Sequence, residues 1–185
     1  MPQGLVQFCD ITKKSESMKR RRFRTILLIL LLIVVLIQFL PVDRSIPQMD
    51  PSQDFIAVTH TSAELGKLIK DACYDCHSYE TEYPWYAYVS PVSLWLQNHI
   101  NHARRHLNFS IWTTYPADRA DKKLKEAVEQ VKKKEMPLNS FTWMHPEARL
   151  TDTQRADITT WFQGLRTGAG EDNRSRHSEE EEEND

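Results

Sequence analysis

Two cysteines and a histidine stand together in the segment Cys73-Tyr74-Asp75-Cys76-His77, which has the spacing C-x-x-C-H. Two thiols three positions apart on a helical turn can each form a thioether with one vinyl group of a haem, and this spacing is the attachment signal of c-type haem. The next residue can offer its imidazole to the iron as the proximal ligand. We therefore predict one covalent haem c per chain, attached through Cys73 and Cys76 and ligated by His77.

Other sites could use the same residues. A dithiol redox site also has the C-x-x-C spacing, but it usually follows a strand in a thioredoxin-like setting, whereas a helical pattern precedes Cys73. A structural zinc site could take Cys73, Cys76 and a histidine, and would need a fourth ligand from among His99, His102 and His106. Two ordinary thiols that meet the spacing by chance are the remaining alternative.

A methionine after the motif could supply the second axial ligand of the iron. Met136 follows a helical stretch over Asp118–Glu135, and Pro137 fixes the direction of the chain just after it. A thioether or an imidazole can fill this position, so Met144 and a histidine are the rivals of Met136. Each methionine could instead fill a gap in the core. We predict Met136 as the distal ligand.

Three histidines, His99, His102 and His106, are spaced i, i+3 and i+7 and so share one face of a predicted helix. The simplest interpretation of this face is a half-exposed polar edge. The alternative is a second axial ligand or a partner for a haem propionate.

The elements that must position these residues all have helical patterns. A capping box, Thr61-Ser62-Ala63-Glu64, starts a helix that runs into Cys73. Ser90 and Pro91 suit the start of the histidine helix. A second capping box at Thr151–Gln154 starts a last helix, whose apolar stripe includes Trp161. The aromatic segment Tyr79–Tyr88 either packs on the core or walls the haem. We predict an all-α fold.

Composition bounds the classes of function. The 185 residues allow one domain with terminal segments, and the three cysteines leave Cys9 unpaired, so no disulfide framework is indicated. Residues 1–24 carry seven Lys/Arg and two Asp/Glu, whereas residues 171–185 carry two Arg and eight Asp/Glu. The segment between them is nearly neutral, so we expect no nucleic-acid partner. Residues 168–185 read as an acidic disordered tail.

An aliphatic run from Ile26 to Ile37, extended by Phe39 and Leu40, follows a basic cluster. This order predicts a transmembrane anchor over 25–40 with residues 1–24 in the cytoplasm; a cleaved signal peptide is the alternative. The true start could be Met18. We expect a linker over 41–60 and a haem domain over 61–167, outside the cytoplasm and tethered to the inner membrane as a single-pass protein.

Several blocks of sequence extend the motif. They are, in order, CYDCHS (73–78), YPWY (83–86), PVSLWLQNHINHARRHLNFSIW (91–112), EMPLNSFTWMHPEARLT (135–151) and ITTWF (158–162). Together they resemble the bacterial haem-binding domain family of cytochrome c-like proteins, over roughly 62–165. The resemblance implies a class I-type fold with covalent haem c on the outer side of the cytoplasmic membrane. The sequence departs from the family pattern at Lys134, where a small residue is expected.

These observations predict a membrane-anchored c-type cytochrome domain, with the helix before Cys73 packed against the helix that carries Trp161. The leading function is one-electron transfer with an unidentified redox partner protein, and not catalysis. A haem-based sensor or small-ligand binder and a peroxidase-like enzyme are the alternatives. Both would need an open position on the iron.

Overall fold

A computed structural model describes residues 4–166, with side chains described from Met18 onwards. These residues form two compact units, one made of 4–43 with 84–96 and the other of 44–83 with 97–166. Every regular element in the described residues is helical, and none is a strand. The all-α prediction is therefore confirmed. The predicted acidic tail, 168–185, lies outside the described residues, as does the side chain of Cys9.

The first unit contains the long helix α1, Gly4–Ile37. Within residues 4–166, no helix is both long enough and apolar enough to cross a membrane, so the structure does not show the predicted transmembrane helix. The helix ends at Ile37, and an apolar stretch from Thr25 to that residue would be only about 20 Å long at ~1.5 Å per residue.

Just beyond α1, the Gln38 amide donates to the Ser90 carbonyl at 2.9 Å and accepts from the Ser90 N–H at 3.0 Å.

The second unit is an assembly of short and medium helices. A π-helical turn, Lys70–Tyr74, connects α3 to α4. In chain order the helices are α2 (Phe55–Val58), α3 (Ala63–Ile69), α4 (Asp75–His77), α5 (Val92–His106, which begins in the first unit), α6 (Ala117–Lys132), α7 (Asn139–Thr142) and α8 (residues 152–166).

Side-chain caps fix where α3 and α8 begin, and the cap of α8 is the residue that the sequence predicts. At α8 both arms of the capping box form: the Thr151 hydroxyl accepts from the Gln154 N–H at 3.2 Å, and the Gln154 side chain accepts from the Thr151 N–H at 2.8 Å. At α3 the cap is Ser62, which accepts from the Leu65 N–H at 3.3 Å. Thr61, the predicted cap, instead bonds the Thr59 hydroxyl at 2.7 Å.

The chain leaves α6 through Lys134, the position at which the sequence departs from the family pattern. That residue has φ 59°, a left-handed conformation in which a Cβ is unfavourable and glycine is preferred. The Glu135 N–H donates to Gln130 O at 3.0 Å and the Lys134 N–H to Val131 O at 3.1 Å, which is the Schellman pattern of helix ends. The helix therefore stops at Lys132, three residues before the predicted end.

One core joins the helices of the second unit. Its buried members come from many of these elements: Phe55, Ile69, Tyr74, Leu107, Phe109, Leu124, Val128, Ile158 and Phe162. The helix before Cys73 contributes Ile69 to it, and the helix carrying Trp161 contributes Ile158 and Phe162. Phe55, which the sequence assigned to the linker over 41–60, is completely buried, and its ring meets the rings of Phe109 and Phe162. Burying such a side chain contributes about 1.5–3 kcal/mol.

Candidate cofactor site

A cavity of about 370 Å³ opens in the second unit, beside this core. Its walls come from the motif, from α5 and the turn after it, from α6 and the loop that follows, and from α7 and α8. The volume lies at the lower end of the ~300–1,000 Å³ range of small-molecule sites. The predicted site residues Cys73, Cys76, His77 and Met136 all line it.

Both motif cysteines are free and half-buried at the cavity wall. Burial raises the pKa of the Cys73 thiol to about 12 and that of the Cys76 thiol to about 11, with smaller contributions from neighbouring charges. Reactive dithiol sites have the opposite property, because they lower a thiol pKa to generate the thiolate. The environment therefore favours neutral thiols over a dithiol redox centre.

The orientation of His77 follows from a hydrogen bond made by its ring. The Nδ1 atom lies 3.0 Å from the Leu107 carbonyl oxygen, which can only accept, so the proton is on Nδ1. Burial lowers the pKa of this imidazole, although the hydrogen bonds to backbone oppose the shift. A neutral ring with Nδ1 protonated leaves Nε2 as the nitrogen that can bind a metal.

Arg104 of α5 holds the turn that follows the motif. Its Nε donates to the Ser78 carbonyl and its Nη2 to the Thr81 hydroxyl, both at 2.8 Å. Thr81 in turn donates to the Asp75 carbonyl at 2.5 Å. Ser78 is fully buried, so its carbonyl depends on this partner, and the motif is fixed against α5 at the position the cavity requires.

The two candidate distal methionines occupy different places. Met136 lines the cavity from the loop between α6 and α7. Met144 does not line it, and its side chain is 53% exposed. Of these two thioethers, only the Met136 one shares the cavity with His77.

The histidine face of α5 also reaches the cavity. His99, His102 and His106 line it together with Lys123 of α6, whose Nζ donates to the His106 carbonyl. Burial lowers the pKa of Lys123. The side chains of His102 and His106 are exposed, so this wall is the polar edge that the sequence predicts. Glu126 of α6 lines the cavity as well and adds a carboxylate.

The phenylalanine rings that line the cavity are Phe109, Phe141 and Phe162. Phe109 is almost fully buried, and its ring stacks on the ring of Tyr74 with the ring centroids 5.3 Å apart. No helical periodicity marks Phe109 in the sequence, because it lies beyond α5 at the start of a short 3₁₀ helix, Phe109–Thr114. Only its apolar character marked it as a core residue.

Comparison with models of protein families shows which family this chain belongs to. The model of a family described as "Haem-binding domain" matches residues 32–164, well over half of the chain. The chain belongs to the haem-binding domain family. Its members are expected to bind haem, and haem is therefore the cofactor that the cavity must accommodate. No curated protein and no solved structure matches the chain.

The residues fit the haem of a haem-binding domain. The cavity is bordered mainly by apolar and aromatic side chains, as a flat apolar ring requires. It presents an imidazole with a defined free nitrogen, and Lys123 on its polar edge offers a cation to the carboxylates of a haem. Zinc is a poorer fit, because among residues 4–166 no group of three or more His, Cys, Asp or Glu side chains is arranged to hold a metal ion.

Proposed function

We propose that the domain is a c-type cytochrome that carries single electrons. The observation that carries this proposal is the convergence of four residues on one cavity: Cys73 and Cys76, His77 with its Nδ1–H engaged, and Met136. A bound haem would supply an iron that changes between two oxidation states. The chain's part is to attach it, ligate it and shield it.

Attachment needs only the two thiols and the two vinyl groups. Each Sγ would bond to one carbon of a vinyl C=C and a hydrogen would go to the other carbon, so no oxidant would be consumed.

If His77 and Met136 both held the iron, no position would be left for a small molecule. His77 would bind through Nε2, held in place by the Leu107 carbonyl, and Met136 would bind through its sulfur. A thioether ligand raises the reduction potential relative to a second imidazole. The surrounding Phe109, Phe141 and Phe162 rings would exclude water from the iron.

Covalent attachment is tested by haem staining after denaturing electrophoresis. We expect the stain to remain on the full-length polypeptide and to weaken in Cys73→Ala and Cys76→Ala. The variant Cys9→Ala is the matched control and should stain like the wild type. A haem that separates from the denatured wild-type chain would contradict the c-type assignment while leaving haem binding intact.

A sensor or peroxidase-like role is the second candidate. The polar edge of the cavity, which includes His99, favours it. Carbon monoxide distinguishes it from electron transfer. A six-coordinate electron carrier should bind carbon monoxide slowly or not at all in the ferrous form, and should show negligible turnover with peroxide. Rapid binding by the native protein would favour the sensor or the enzyme.

We include in the proposal a location outside the cytoplasm and attachment of residues 25–40 to the cytoplasmic membrane. The basic cluster before the aliphatic run supports it, since such clusters stay on the cytoplasmic side. The described aliphatic side chains of α1, such as Leu28 and Leu32, are mostly exposed. Membrane fractionation should recover the full-length chain with the membrane. A mature N-terminus near Val42 would show a cleaved export signal instead.

A further inference from the structure

The loop that carries Met136 is anchored to α8 by one arginine. Arg155 donates from Nη1 to the Met136 carbonyl at 2.6 Å and to the Val131 carbonyl at 3.1 Å. On the other side of the residue, the Met136 N–H donates to Gln130 O at 3.3 Å. Both backbone polar groups of Met136 are therefore held, one by α6 and one by α8.

The guanidinium is well suited to this position. It is half-buried and lies at the C-terminal end of α6, where exposed carbonyls give the helix end a partial negative charge. Hydrogen bonds from a charged donor are about twice as strong as neutral ones. A second link between the same elements, from Lys134 Nζ to Asp152 Oδ1 at 2.6 Å, joins two exposed side chains and contributes little.

A methionine ligand depends strongly on such support. Its side chain is unbranched and has three rotatable bonds, so the sulfur can leave the iron whenever the backbone moves. We propose that Arg155 is a positioning residue that keeps the Met136 sulfur at the iron. This inference rests on the proposed function, because it requires Met136 to be the distal ligand.

The chain offers a matched control on the same pair of helices. Arg166 of α8 donates from Nε to Asp121 Oδ1 of α6 at 2.7 Å and from Nη2 to Asp121 Oδ2 at 3.3 Å. It is half-buried like Arg155, but its hydrogen bonds go to Asp121 and not to the loop that carries Met136. Loss of either arginine weakens the contact between α6 and α8, whereas only loss of Arg155 frees the Met136 carbonyl.

The experiment compares Arg155→Met, Arg155→Lys and Arg166→Met in the haem-loaded full-length protein. Three properties are measured: the near-infrared absorption band of methionine-ligated ferric haem, the rate of carbon monoxide binding to the ferrous form, and the thermal unfolding midpoint. In Arg155→Met we expect the band to weaken and the binding rate to rise about tenfold, in line with the loss of a charged hydrogen bond. Arg155→Lys, which keeps a cationic donor, should recover part of both.

Arg166→Met should lower the unfolding midpoint but leave the band and the binding rate at wild-type values. If Arg155→Met and Arg166→Met differ only in their midpoints, Arg155 is structural and the inference is overturned. If the wild type itself lacks the band and Met136→Ala does not change the spectrum, the distal assignment fails, and the inference with it. The two failures are distinguishable, because only the second is visible in the wild-type protein.

Discussion

At the scale of single residues, the assignment of the distal ligand gives a direct prediction. Met136 lines the cavity and Met144 is 53% exposed outside it. Met136→Ala should therefore turn the ferric haem high-spin or admit a substitute ligand, whereas Met144→Ala should leave the absorption spectrum unchanged. The reverse result would move the ligand to Met144. Unchanged spectra in both would direct the search to His99, the least exposed of the three cavity histidines on α5.

A second residue-scale prediction concerns the left-handed residue at the end of α6. A residue with a Cβ costs roughly 1–2 kcal/mol in this conformation, whereas glycine adopts it readily. Lys134→Gly should therefore raise the free energy of unfolding by about 0.5–1 kcal/mol, less the small contribution of the exposed pair with Asp152. Urea unfolding measures the change. Asp152→Asn, which removes the ion pair alone, is the control. If Lys134→Gly lowered the free energy of unfolding, Lys134 would not be strained in the wild type.

The residues that line the cavity could be predicted from the sequence, whereas the hydrogen-bond partners that hold them in place could not. Cys73, Cys76 and His77 are revealed by a local spacing, and Lys134, where a small residue is expected, has a left-handed backbone conformation. The Leu107 carbonyl that orients His77 comes from thirty residues away, and Arg155 from nineteen residues beyond Met136. Hydrogen bonds of this kind depend on tertiary packing, and no local pattern encodes them.

At the scale of elements, α5 fixes the haem motif through Arg104. Arg104→Met would leave the buried Ser78 carbonyl without its partner, and such a loss costs about 1–3 kcal/mol. We expect a lower unfolding midpoint and a poorer yield of haem-loaded protein. Arg105→Met, one position along the same helix at an exposed site, is the control and should change stability by no more than about 0.5 kcal/mol. Equal effects of the two variants would show that α5 does not hold the motif in this way.

Helix starts were more predictable than the course of the helices. The cap at Thr151 lies where the sequence places it, and the cap of α3 is displaced by one residue, because both depend on side chains next to the helix. The π-helical turn Lys70–Tyr74 was not foreseen, since its residues fit an ordinary α-helical pattern. Such turns often occur at functional sites, and this one leads directly into the haem motif.

At the scale of the whole molecule, the segment predicted to be a linker, residues 41–60, was the hardest part to interpret. Few apolar residues surround Phe55, so composition favoured a linker, yet its single ring completes the core between Phe109 and Phe162. Local composition does not report what one side chain meets after folding. The helical class itself was predictable, because every long stretch of the domain repeats its apolar residues with the helical period.

The last prediction concerns how far the fold depends on its cofactor. The cavity of about 370 Å³ is bounded by core residues such as Phe109, Val131 and Phe162. At about 24 cal/mol per Å³, leaving that much space empty would cost up to about 9 kcal/mol, which is comparable with the ~5–15 kcal/mol stability of a typical domain. Water entering from the polar edge would reduce this cost without removing it.

A haem-free chain should therefore be marginally folded. We expect Cys73→Ala/Cys76→Ala, purified without haem, to unfold at a much lower temperature than the loaded wild type. It should also lose part of its helical circular dichroism, and added haem should restore some of both, since a ligand that binds only the native state stabilises it. A haem-loaded Cys9→Ala protein is the control and should melt like the wild type. A double variant that melts with the wild type would mean that α5, α6 and α8 pack without the cofactor, so that haem occupies a preformed site and contributes little to the fold.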